Sequence, residues 1–68
     1  MMKLERMTQL AIIVKKDLEI RESNGTLMGV NGTRPTGEML ADWHNLEGEE
    51  WEFFANAYST LAYSMLKD

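Results

Sequence analysis

The single histidine, His44, lies between Trp43 and Asn45, with Asp42 and Glu47 close by in the chain. A histidine oriented by a carboxylate is a common start for a general base or a metal ligand. Neither chemistry is completed here. A structural zinc site needs about four Cys or His ligands, and the chain has one histidine and no cysteine. Ser23, Ser59 and Ser64 supply hydroxyls, but no histidine stands at a recognisable motif spacing to activate one. The carboxylates of Glu47, Glu49, Glu50 and Glu52 are near enough in sequence for acid–base work, yet the helix dipole favours them at a helix start in any case. The glycine spacing contains neither GxGxxG nor GxxxxGK[ST], the loops that cradle phosphates. The residues therefore predict no enzyme, no cofactor and no metal site.

Apolar residues outside the core stripes are more informative. Leu4, Met7, Ala11, Val14 and Leu18 recur with 3-4-3-4 spacing and Leu10 widens the stripe, as on one side of a helix. At about 100° per residue, Met2, Ile13 and Ile20 fall on the opposite side. Trp51, Phe54, Tyr58, Leu61 and Met65 repeat the spacing nearer the C-terminus, broadened by Ala55, Ala62 and Leu66, while Phe53 and Tyr63 point elsewhere. Off-stripe apolar residues on both helices of a chain short of core predict a partner interface built from Met2, Ile13, Ile20, Phe53 and Tyr63. The alternative is that the remaining segments cover them within the monomer.

The elements that position these residues follow from the same periodicity. The pattern predicts a helix over residues 1–22, closed by Ser23-Asn24-Gly25. A connector over 23–36 holds three of the five glycines and the only proline, and a fourth glycine follows at 37. Asn24-Gly25 also offers a type I′ turn joining residues 18–23 to 26–30, although that register sets Glu22 opposite Leu27 and Ile20 opposite Gly29. Leu27, Met28 and Val30 suggest a short extended piece tucked against the helices. A short helix over 37–46 is capped by Thr36, and a long one runs over 49–67. The expected fold is all-α, with two long antiparallel helices, one short helix closing an end and a Gly-rich connector with the option of a small β-hairpin.

Size and charge bound the function. The 68 residues form one domain over 1–68, and a chain this short buries only about 60% of its unfolded surface. With no disulfide or zinc to help, tight helix packing or a partner must make up the difference. The longest apolar run, Leu10 to Val14, is far below the ~20 residues of a membrane span and no signal cleavage site follows it, so the cytoplasm is the expected location. Residues 1–34 carry six basic and four acidic side chains, residues 35–68 one basic and seven acidic. Glu38, Asp42, Glu47, Glu49, Glu50 and Glu52 form an acidic patch that would repel a phosphate backbone. The leading expectation is a non-catalytic protein–protein interaction module. It would self-associate, as a dimer, or act as an adaptor or inhibitor of a larger protein, as phage and mobile-element accessory proteins of this size and acidity often do by analogy of class. The alternatives are an acidic decoy that occupies a basic groove, and a helix-turn-helix regulator whose recognition helix would begin with the unsuitable Glu49-Glu50-Trp51-Glu52.

Overall fold

The computed structural model describes residues 1–27 and 30–67. These fold as three helices: α1 (Leu4–Ser23), α2 (Val30–Trp43) and α3 (Gly48–Lys67). The all-α expectation holds. The hairpin does not form: residues 18–23 belong to α1, and no strand occurs among the described residues. Met28 and Gly29, on which part of the extended connector piece fell, lie outside the described residues.

Both interhelical connections begin with the same device. After α1, Gly25 is left-handed at φ +69°, its N–H reaches the Glu22 carbonyl at 3.2 Å and the Thr26 N–H reaches the Arg21 carbonyl at 2.8 Å. After α2, Asn45 takes the left-handed position at φ 61°, with Asn45 N–H on Asp42 at 3.0 Å and Leu46 N–H on Ala41 at 3.0 Å. This is the Schellman pattern, in which a left-handed residue lets the chain turn back and satisfy the last orphan carbonyls. In the second case the apolar pair that accompanies the motif is present too, since Leu46 and Ala41 are both buried.

The second helix is the main correction to the sequence reading. It starts at Val30 rather than 37, so most of the expected connector is helical and Pro35 lies inside it. Thr36 is not an N-cap; its hydroxyl donates to the Gly32 carbonyl one turn back at 2.7 Å. Gly32, Pro35 and Gly37 read as breakers in isolation, but packing against α3 overrides local propensity. Gly37 is required for that packing: a Cβ there would stand 2.8 Å from the Tyr58 Cβ. Thr33, Gly37 and Ala41 are all buried and recur at every fourth position, giving α2 a narrow side that seats closely on α3.

The lengthening of the second helix also reverses the expected relation between the long ones. Arg6 meets Glu50 and Asp17 meets Tyr58, so positions on α1 and α3 advance together. The long helices run parallel, not antiparallel. Gly37 packs on Tyr58 while Asp42 meets Trp51, so α2 is the element that runs against α3. Among the described residues α3 packs against both other helices, and no Cα of α1 comes within 8 Å of one in α2.

The core is built from Leu10, Val14 and Leu18 of α1, Ala41 of α2, Leu46 of the loop, and Phe54, Tyr58 and Ala62 of α3. Relative to the expected stripes, α1 is rotated toward Leu10, leaving Leu4 exposed, and α3 toward Ala55 and Ala62, leaving Leu61 38% exposed. Alanines occupy the closest-packed positions, a detail that periodicity weighted by side-chain size misses.

Candidate interaction surface

The six carboxylates expected to form an acidic patch are mostly engaged one by one. Glu50 accepts two hydrogen bonds from the Arg6 guanidinium, at 3.1 and 3.0 Å, an arrangement that holds its carboxyl below the usual range. Glu49 lies 3.7 Å from the N-terminal ammonium. Arg34 donates to Glu38 at 3.0 Å and to Asn56, lies 3.6 Å from Glu52, and sits over the Trp51 ring at 5.9 Å. Asp42 accepts the Trp51 indole N–H at 2.7 Å. Glu47 is exposed and has no such partner among the described residues. The basic first half of the chain thus supplies cations to the acidic second half.

The predicted apolar interface divides in two. Met2, Ile13 and Phe53 are half-buried and packed against the core. Ile20 is 61% exposed on α1 and Tyr63 is 49% exposed on α3. Leu4 and Ile12 are exposed as well, but charged neighbours surround these α1 positions: Lys3 and Glu5 beside Leu4, Lys16, Glu19 and Arg21 around Ile20.

A different surface has the stronger apolar character. At about 100° per residue, Thr33, Gly37 and Ala41 take the side of α2 toward α3, and Arg34, Glu38 and Asp42 share one flank. All three charged residues are held on that flank by the Arg34–Glu38 and Arg34–Glu52 pairs and the Trp51–Asp42 bond. The rest of the helix surface carries Gly32, Pro35, Thr36, Met39, Leu40 and Trp43, with no charge among them. Met39 is 61% exposed and Trp43, one turn on, is 76% exposed, with Leu40 half-buried beside them. A solvent-facing helix side normally carries polar and charged residues. This one does not. Periodicity alone misses this side, because Gly32 and Pro35 fall in the expected connector while Met39, Leu40 and Trp43 fall in the expected short helix.

His44 lies among aromatic side chains. Its ring meets Trp43 edge-on at a centroid distance of 5.3 Å and lies 5.7 Å from Phe54. No group of three or more His, Cys, Asp or Glu side chains converges on a possible metal position among the described residues. Likewise, no helix among them is long and apolar enough to cross a membrane.

Comparison with protein-family models, with curated proteins and with solved structures found no match. Among the described residues the chain is a small three-helix protein whose α2 presents an uncharged, largely apolar side.

Proposed function

We propose that this chain is a non-catalytic protein–protein interaction module whose contact is the outer side of α2. The observation that carries the reading is the pair Met39 and Trp43, 61% and 76% exposed on a helix side without charge. Aromatic and methionine side chains are enriched at the centres of protein interfaces, and charged ones are depleted there. Full burial of each such side chain contributes about 1.5–3 kcal/mol. The acidic-decoy reading draws less support, since a decoy needs an open array of carboxylates and most of these already have donors close by. The helix-turn-helix reading asks α3 to enter a DNA groove, while α3 packs against both other helices.

Photocrosslinking tests the proposal. A benzoyl-phenylalanine at position 39 should give covalent protein adducts in cells, whereas the same group at position 16 or 47 should give few or none. Adducts from 16 or 47 with none from 39 would refute it.

A further inference from the structure

Resting on that reading, we infer that the occupant of the α2 surface is a second copy of this chain, docked with its α2 antiparallel across a two-fold axis. Shape is the first reason. The uncharged side is graded along its length: the N-terminal half carries Gly32, Pro35 and Thr36, the C-terminal half Met39, Leu40 and Trp43. Gly32 and Trp43 lie three turns apart on nearly the same line of the helix, about 16 Å at 1.5 Å per residue. Turning a second copy end for end lays the bulky half of each helix on the slim half of the other, and the two-fold makes both contacts at once. Trp43 of each chain then rests on the Gly32–Pro35 turn of its partner, and Met39 lies near the axis.

Charge is the second reason. The chain carries a net charge of −4, so two copies repel unless they meet where charge is absent. A two-fold contact is the stricter case, because residues near the axis face their own kind. The α2 side meets that condition; the exposed apolar residues of α1 stand among lysines and glutamates.

Area sets the strength. A standard interface takes ~800 Å² from each partner. One side of a 14-residue helix offers less than that, so the dimer is a small one and exchanges in the micromolar range.

Light scattering or sedimentation of the purified full chain tests this. The mass should rise from 7.8 kDa toward twice that value as concentration increases across the micromolar range. Met39→Lys and Pro35→Glu should each weaken association at least tenfold, on the order expected for a central interface position. Pro35→Glu has a second use, because removing a proline from within α2 should raise the monomer's melting temperature, so lost association cannot then be blamed on unfolding. Ile20→Glu, on α1, should leave the mass profile unchanged. A chain that stays monomeric at every concentration overturns the inference, as does a dimer that survives Met39→Lys or is lost in Ile20→Glu. If the chain is monomeric while position 39 still crosslinks to a different protein, self-association fails and the interaction-module reading stands.

Discussion

The Tyr58 hydroxyl of α3 donates to Asp17 Oδ2 of α1 across 3.0 Å. The same carboxylate oxygen accepts from Arg21 Nε at 2.8 Å, and the base of the Tyr58 side chain lies under Gly37 of α2. One side chain thus spans all three helices. Tyr58→Phe keeps the packing and leaves Asp17 its Arg21 partner, so it should cost about 1 kcal/mol at neutral pH.

That contact has an alkaline signature. Burial first, and the bond to Asp17 second, push the Tyr58 hydroxyl from 10.0 up to about 12. A raised folded value means that the contribution is complete below pH 10 and is lost between 10 and about 12, where the unfolded chain ionises first. The advantage of wild type over Tyr58→Phe should therefore shrink across that window. Urea midpoints of the two proteins at pH 9 and pH 11.5 check this, and a constant difference would show that the hydroxyl is neither buried nor bonded to Asp17.

Gly37→Ala should destabilise, although alanine is the better helix former by about 1 kcal/mol. The added Cβ would meet Tyr58 at Cβ (2.8 Å) and Cγ (3.1 Å), atoms too near the backbone to swing aside. Overpacking of this kind costs about 1–3 kcal/mol. A net loss is expected, read as a lower thermal midpoint; an increase would mean that α2 and α3 are farther apart than described.

The rotation of α3 predicts unequal losses along its sequence stripe. Phe54 is fully buried and Phe54→Ala should cost about 3–5 kcal/mol. Leu61, at 38% exposure, should cost less than about 1 kcal/mol as alanine, since part of its surface never leaves water and alanine improves the helix. Equal losses in denaturant titrations would restore the orientation that side-chain size alone suggested.

The long helices were legible because their signals agree at several levels: Leu10, Val14 and Leu18 on one, Phe54 and Tyr58 on the other, carboxylates at the start of α3 and Asn24-Gly25 at the end of α1. The second helix was not, because its reasons are tertiary. Gly37 is explained only by Tyr58, twenty-one residues away, and Pro35 is opposed to helix whatever surrounds it. Missing those residues also hid the outer side of α2 and inverted the direction of the long pair. Asn45 was the one unused local clue, as asparagine tolerates the left-handed position that ends α2. The charge asymmetry between the two halves was visible throughout, and the Arg6–Glu50 and Arg34–Glu52 pairs are its consequence.

Acid should remove the tie between α1 and the start of α3. Hydrogen bonds from Arg6 are the main cause that holds Glu50 below 4.5. A lowered folded value means that the contribution is present above pH 4.5 and is lost as pH falls through the folded value. Arg6→Gln should therefore be less stable than wild type at pH 7 and match it at the acidic end, with the neutral-pH difference reduced by salt. Denaturant midpoints over pH 2 to 7 at two ionic strengths measure both effects.

Pro35→Ala examines the least expected element directly. Within α2, proline at 35 has no N–H for the carbonyl four residues earlier, and its ring presses on that carbonyl; in a helix interior the two effects cost about 3 kcal/mol. Proline also stiffens the unfolded chain, which returns about 0.4–1 kcal/mol that alanine forfeits. The balance favours alanine by about 2 kcal/mol, a rise of roughly 8–16 °C in the thermal midpoint of a domain this size. Pro35 is exposed, so no lost core contact offsets the gain. A helix beginning only at Thr36 would leave Pro35 outside it, where the stiffening term alone remains and alanine should lower the midpoint. The sign of the shift therefore decides whether α2 begins at Val30. With the helix begins or ends its uncharged outer side, because only a helix that includes Gly32 and Pro35 sets them in line with Met39 and Trp43.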